Sequence, residues 1–510
     1  MKKLICLALV SMLLLGLCPA GAEEMDAFNW YEIFVYSYQD SDGNGVGDLN
    51  GVRQRLDYIQ EMGFDGIWLM PIMPSPSYHK YDVTDYYQVD PLYGTAADLK
   101  ALAEDCHARG IRLIIDLVVN HTSAQHPWFR EAAAALRRGD LDNPYIDYYC
   151  FSKTPGNKMV SLTGTDWYYE EQFSGGGMPD LNLESPAVME EIGKIMAFWL
   201  NDCGVDGFRL DAVTSFVAGN TDASVACLRR IKEMAENIKP GSYLVGEAWT
   251  SLAEIAKYYE SGVDSFFLFP ASQAEGYVAQ VLRAMKPGSA YAAYLKQAED
   301  AIPDGVWAPF LSSHDTGRAV AAMQARTDPA RLKFAHALLN MMGGNTFTYY
   351  GEEIGMAGSG ADPNKRTAMY WNDQDMTKDP PGVTRAEYPY PSVDEQWADP
   401  DSLLHFIRAV NETKKQFPAI ARGAHATLLT DKYLCLLSRE WQGETIYLAI
   451  NFSAADTLTL TLPEEAADAV LLGQLNAAGG DCGLDAGSGV LILPPYGIAI
   501  LGNPTDQAGE

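Results

Sequence analysis

Four short segments each place a polar, chemistry-grade side chain at the end of an apolar β-like run: IIDLVVNH (114–121), GFRLDAV (207–213), VGEAW (245–249) and FLSSHDT (310–316). Aspartate and glutamate are almost never fully buried unless paired, so four such strand ends in one chain call for an explanation. If the strands run parallel in one barrel, Asp116, Asp211, Glu247 and Asp315 gather at a single rim. Two carboxyl groups flanking one bond, one protonated and one ionised, are what cleavage of a glycosidic bond requires.

Strand alternation sorts these residues. Gly207, Arg209 and Asp211 share one face, and Phe208, Leu210 and Ala212 take the other. The apolar pair then packs outward against helices, and Arg209 and Asp211 face the barrel interior near its C-terminal rim, where such barrels keep their active sites. A guanidinium beside Asp211 favours the ionised carboxylate that a nucleophile needs. Glu247 ends the next strand among Tyr243, Leu244, Val245, Ala248 and Trp249, an apolar setting that raises a carboxyl pKa and suits a proton donor. The pair also reads as a plain structural Arg–Asp contact if Arg209 and Asp211 are taken alone. Asp315, preceded by His314, adds a third contact for sugar hydroxyls.

A second cluster, DSDGNGVGDL (40–49), offers oxygen ligands at alternate positions: Asp40, Asp42, Asn44, the Val46 carbonyl and Asp48. Glycines between them permit tight looping, and the donor set suits a hard cation such as Ca2+. The start is EF-hand-like, but no Glu stands at position twelve, where Arg53 and Gln54 follow instead.

The elements that must position these residues are legible along the chain. From about Phe28 to Phe417, apolar β-type runs alternate with amphipathic helical stretches, which predicts an α/β (β/α)8 TIM barrel. Strands are expected near 30–36, 66–71, 111–118, 205–211, 242–247, 263–269, 306–312 and 345–350. After Ser185 as cap and Pro186 at the first helical position, Val188, Ile192, Ile195, Met196 and Trp199 form one apolar stripe. About sixty residues separate Asn120 from Glu184, far more than a plain βα loop, which predicts a small inserted subdomain walling the cleft. Its aromatics (Trp128, Phe129, Trp167, Tyr168, Tyr169) are expected mainly as that subdomain's own core. Beyond Phe417, alternating runs such as YLCLLSREW and TIYLAINFS predict a C-terminal β-sandwich. The expected division is a signal peptide at 1–22, barrel at 23–120 and 185–420, insertion at 121–184 and β-sandwich at 421–510.

Lys2 and Lys3, an apolar run to Leu17, and Ala20-Gly21-Ala22 read as an export signal cleaved after Ala22; lipidation at Cys18 is the less favoured alternative. The 510 residues carry a net charge of −30, which disfavours nucleic acid and anionic membranes as partners. No other segment reads as a membrane span, and a monomer is expected. The six cysteines outside the export signal show no metal-ligand spacing and are expected as free thiols.

The four strand-end segments, in this order and spacing, resemble the conserved regions of the α-amylase family of glycoside hydrolases (glycoside hydrolase family 13) over nearly the whole mature chain. The resemblance implies that Asp211 is the nucleophile, Glu247 the acid/base and Asp315 the transition-state stabiliser. It further implies that Arg209, His121, His314 and Asp116 surround the sugar at the cleaved bond and that Tyr81 stacks beneath it. The loop at 40–49 is similar to the calcium loop of oligo-1,6-glucosidase-like members. MPDLN (178–182) resembles a form intermediate between oligo-1,6-glucosidases and neopullulanases. Ala212 replaces the valine that accompanies α-1,6 specificity, and Tyr78 stands where exo-acting relatives carry an aspartate; both favour α-1,4 hydrolysis in an open cleft. Asn120 matches a ligand of a second family calcium site, although Ser215 replaces that site's histidine. Arg366 and Trp371 of DPNKRTAMYW (362–371) are expected at the cleft rim. The substrate so implied is an α-glucan or maltooligosaccharide. A neopullulanase, a cyclomaltodextrinase, a glucosyltransferase and a non-catalytic glucan-binding surface lipoprotein stay open as alternatives.

Overall fold

A computed structural model describes residues 28–503 except 174 and 176, so the expected export signal and Cys18 lie outside the described residues. Eight parallel strands form one sheet: β1 (Asn29–Ile33), β2 (Gly66–Leu69), β3 (Arg112–Leu117), β4 (Gly207–Leu210), β5 (Tyr243–Gly246), β6 (Ser265–Phe267), β7 (Val306–Ala308) and β8 (Thr346–Tyr349). Neighbours pair in sequence order, and β1 also pairs with β8. The last gap closes where the Asn345 and Phe347 amides donate to the Trp307 and Pro309 carbonyls at 2.7 and 2.9 Å. The sheet is therefore a closed (β/α)8 barrel, as the alternation predicts.

Its interior is filled largely by aromatic rings, which single-sequence alternation does not reveal. Trp30, Trp68, Tyr243, Phe267, Phe269, Phe310 and Phe347 make one buried cluster with Ile114, Val245 and Ala308. Phe208 and Leu210 belong instead to the outer core beneath the helices. The helix Pro186–Ala197 buries Val188, Ile192, Ile195 and Met196, with Trp199 just beyond it. Ser185 does occupy the position before that helix, but its hydroxyl donates to Asp147 at 2.8 Å rather than capping an amide.

The insertion's two ends zip together on the barrel rim: His121 bridges Asp180, and the Leu181 amide donates to the Asn120 carbonyl at 2.9 Å. Between them lie the helix Pro127–Arg138 and a three-stranded sheet. Phe129 packs on Tyr149, Phe151 and Tyr169, so Phe129 and Tyr169 serve the subdomain's own core, whereas Trp128 also stacks on Tyr86 of the loop after β2 at 5.6 Å. At the C-terminus a five-stranded and a three-stranded antiparallel sheet form the β-sandwich. Buried Arg439 of this domain donates to the Met341 and Met342 carbonyls at 3.0 and 2.7 Å, where a cation complements the end of the barrel helix Pro329–Met341. The six cysteines Cys106, Cys150, Cys203, Cys227, Cys435 and Cys482 are free thiols. Among the described residues no helix is long and apolar enough to cross a membrane.

One glycine decides how closely the two strands carrying Asp211 and Glu247 approach. Gly207 has φ 152°, and a Cβ there would sit 1.8 Å from the Tyr243 carbonyl oxygen of β5. The clashing group is backbone and has nowhere to move. Gly207→Ala is expected to destabilise the fold by about 1–3 kcal/mol or more, read as a lower melting temperature in circular dichroism.

Candidate active site

Arg209 is the hub of the barrel mouth. It lies on the interior face of β4, opposite Asp116 in the β3 register, and is almost fully buried. Its Nη1 donates to Asp116 Oδ1 and Oδ2 at 3.0 and 3.2 Å and to Asp211 Oδ1 at 2.5 Å. Its Nη2 lies 3.0 Å from Glu247 Oε1. The guanidinium also faces the rings of Trp68 and Tyr81 at 5.2 and 5.7 Å. Three carboxyl groups from three adjacent strands thus converge on one cation.

One positive charge does not balance three buried negative ones, so the cluster favours keeping a proton. Burial raises Asp116 to about 7, but Asp116 bonds the guanidinium twice; Glu247 is the group placed to hold the proton. Burial pushes its carboxyl up to about 8; Arg209 opposes the shift, and Asp211 and Asp315 add to it. The Glu247 Oε2 accepts the Ala212 amide at 2.8 Å. Ala212 adopts φ 49° and ψ 40°, a left-handed turn uncommon for a residue with a Cβ. The chain turns there directly after Asp211, aiming the amide at Glu247.

The source of that burial differs from the expected one. Trp249 is half exposed and stacks on Phe269 at 4.8 Å, so it does not enclose Glu247. Instead Glu247 shares a pocket with Trp68, Phe267, Phe269, Phe310 and Phe347, and the barrel's aromatic filling removes water from it.

Asp315 approaches from the loop after β7. Its Oδ1 accepts from Arg366 Nη2 at 2.8 Å, and its Oδ2 lies 3.1 Å from His314 Nε2. Burial works against ionisation here, but His314 and Arg366 outweigh it and hold Asp315 well below the usual carboxylate range. Tyr81 lies flat against the His314 ring at 5.3 Å, and its hydroxyl donates to Asp116 at 3.0 Å. His121 is buried, with Nε2 lacking a protein partner, a polar atom suited to a sugar hydroxyl. Every substrate-site residue expected from the sequence therefore lies at this mouth: Asp116, Tyr81, His121, Arg209, His314 and Arg366.

Several partners were not foreseen. Glu32 on β1 is buried against His314; as a carboxylate inside the apolar run NWYEIF, it carries the same signal that flagged the other acids. Asp362 accepts from the Tyr78 hydroxyl at 2.8 Å and pairs with Arg366 at 3.1 Å, tying the loop after β2 to the loop after β8. Phe173 of the insertion meets the His121 ring at 5.3 Å while 42% exposed; nothing periodic surrounds it in sequence. Trp371 is not at the rim. It is fully buried, donates to the Tyr38 carbonyl at 2.7 Å and packs under Arg55, because its indole meets the Tyr38 and Tyr58 rings edge-on at 5.2 and 5.0 Å.

Away from the mouth, Asp40, Asp42 and Asp48 bring carboxylate oxygens within 4.8 Å of one another. Asn44 Oδ1 accepts the Val46 amide at 2.7 Å, and Lys378 Nζ donates to the Asn44 carbonyl at 2.9 Å. Asp48 also caps the helix Leu49–Gln54 through the Gly51 amide. At the insertion's base, Asn120 Nδ2 lies 3.3 Å from Asp180 Oδ1, leaving Asn120 Oδ1 buried and unpartnered.

Residues 32–423 match the family model described as "Alpha amylase, catalytic domain". "Alpha-amylase 3" of Dictyoglomus thermophilum (strain ATCC 35947 / DSM 3960 / H-6-12) is 35% identical over 438 residues, covering 83% of this chain and 84% of that protein. "Oligo-1,6-glucosidase" of Parageobacillus thermoglucosidasius is 28% identical over 528 residues, covering 83% and 89%. The solved structure titled "Eubacterium rectale Amy13B" superposes with a TM-score of 0.89 at 41% identity, covering 94% of this chain and 96% of that one. With the three acids gathered on Arg209 and Asp315 beside them, the chain belongs to the α-amylase family of glycoside hydrolases.

Proposed function

We propose that this chain is a secreted, retaining glycoside hydrolase that cleaves α-1,4-glucosidic bonds in starch, maltodextrins or related α-glucans. The observation that carries the reading is the sharing of one guanidinium by Asp211 and Glu247, with Glu247 pushed up to about 8. Two carboxyls held on one group fit the roughly 5–5.5 Å spacing of retaining enzymes. The Asp211 carboxylate attacks the anomeric carbon as Glu247 protonates the departing glycosidic oxygen. The bond to the leaving sugar breaks as the bond to Asp211 forms. Glu247, now ionised, takes a proton from water, and the resulting hydroxide displaces Asp211. Ionised Asp315 stabilises positive charge at the sugar ring in both steps.

Support for α-1,4 bonds comes from Ala212 and Tyr78, which depart from the α-1,6 and exo-acting patterns, and from the relative named an α-amylase. The basic and apolar N-terminal run supports export. A transferase would use the same intermediate with a sugar in place of water. Chromatography of early products from amylose, pullulan and maltotriose separates these readings; short linear maltooligosaccharides from amylose are expected, and longer transfer products would overturn hydrolysis.

Glu247→Gln is expected to lower kcat by about 10²–10⁴-fold, and Asp211→Asn by more, because it removes the covalent step. An Asp211→Asn protein that digests starch normally would sink the assignment. The proton on Glu247 is needed for the first step and is lost as pH rises through its pKa. The alkaline limb of kcat/KM is therefore expected near pH 8.

The loop at 40–48 is proposed to hold Ca2+ through Asp40, Asp42 and Asp48, with Asn44 and the Val46 carbonyl completing the set. Three mutually repelling carboxylates with hard oxygen donors fit such an ion. Bound there, it would brace the first βα loop and take no part in bond cleavage. Chelation with EDTA is expected to lower the melting temperature by several degrees, with calcium restoring it; an unchanged melting curve would remove the ion from the account.

A further inference from the structure

Glu32 stands apart from the acids described so far. It lies on the interior face of β1, is 1% exposed, and lines the same small cavity as Arg209 and Glu247, with His314 as its hydrogen-bond partner. Its Oε1 is 2.5 Å from His314 Nδ1 and 3.3 Å from the His314 amide. The other ring nitrogen of His314, Nε2, lies 2.6 Å from the Tyr81 hydroxyl and 3.1 Å from Asp315 Oδ2. A carboxylate oxygen therefore sits at each end of the imidazole. A neutral ring has one N–H and leaves one of those oxygens facing a lone pair, whereas an imidazolium donates at both ends.

The remaining neighbours do not offer another arrangement. Trp68 of β2 meets the ring edge-on at 5.6 Å and carries no charge. Tyr81 packs parallel to the ring, and its hydroxyl already donates to Asp116. Arg366 donates to the His314 carbonyl rather than facing the ring. Asp116 of β3 lies behind Tyr81 and is paired with Arg209. Glu352, from the loop after β8, is taken by the Ser312 hydroxyl. The charges that reach the ring directly are Glu32 and Asp315. Burial opposes protonation, but these two acids outweigh it and lift His314 to about 9.

We infer that Glu32 is a positioning residue for the reaction: by accepting the Nδ1 proton it fixes His314 as an imidazolium whose Nε2–H faces the Tyr81 oxygen and lies beside Asp315. Glu32 touches no substrate. It acts through His314, and the inference rests on the hydrolytic reading of the site only for its kinetic consequence.

The direct test is ¹⁵N NMR of the imidazoles in the wild-type protein, with the His314 signal assigned by its loss in His314→Gln. Both ring nitrogens of His314 are expected to carry protons at pH 7.5. A neutral tautomer there would overturn the inference, whatever the activity. The Glu32→Gln protein keeps the shape of the side chain and removes its charge. Its His314 is expected to titrate at least about one pH unit lower, which brings it from above the Glu247 limb onto it, so that the alkaline limb of kcat/KM on maltotriose is expected to steepen and move below its wild-type position near pH 8. The control is Glu353→Gln, which removes a different buried acid, bonded to Tyr31 and Tyr58; it is expected to leave that limb in place. A limb that stays put in Glu32→Gln, or moves equally in both variants, would overturn the assignment. Should the wild type hydrolyse no α-glucan, the proposed function fails while the NMR outcome still decides the role of Glu32.

Discussion

Three carboxyl groups compete for the charge of Arg209, and the chemistry of the mouth follows from that shortage. Asp116, Asp211 and Glu247 all lie within hydrogen-bonding reach of a single guanidinium that is almost wholly out of water. Two negative charges in excess are costly at such low dielectric, so Glu247, which makes one contact with the guanidinium where Asp116 makes two, keeps its proton. The same contacts hold an attacking carboxylate and a proton donor in place without any help from substrate. Replacing Arg209 by lysine would not reproduce this, because one planar fork must serve three oxygen sets at fixed angles.

A second and separate set of charges holds Asp315. Glu32, His314, Asp315, Arg366 and Asp362 alternate in sign from the barrel floor to the loop after β8. There each carboxylate has a cation beside it, and Asp315, between His314 and Arg366, stays ionised. The site thus contains acids driven in opposite directions by their neighbours, the signature of divided acid and base roles. Tyr81 touches both sets, bonding Asp116 with its hydroxyl and covering His314 with its ring.

The rest of the fold serves these contacts. Gly207 lets β4 and β5 approach closely enough for Arg209 to reach Glu247. The aromatic filling of the barrel dries the floor beneath them. The insertion is stitched to its root by the His121–Asp180 bridge, which fixes His121 over the cleft. Arg439 seats the C-terminal sandwich on the barrel's outer helices, far from the chemistry in sequence.

Much of this was readable from residue order. A carboxylate closing an apolar run is so unfavourable without a partner that Asp116, Asp211 and Glu247 announced themselves, and the period-two alternation put Arg209 on their face. Glu32 carries the same mark, but its partner, His314, lies 282 positions away, and nothing local in the sequence pairs the two. Trp371 and Trp249 misled for the complementary reason. Whether a tryptophan near a motif is buried, as Trp371 is, or half exposed, as Trp249 is, depends on neighbours from other strands. Residue types and their spacing alone determined which groups are chemically capable and which strand face they occupy, since both are local properties of the chain. Which acid keeps the proton, what dries it, and which histidine nitrogen faces a carboxylate were decided only by the closed barrel, because charge balance and desolvation are sums over residues that meet in space.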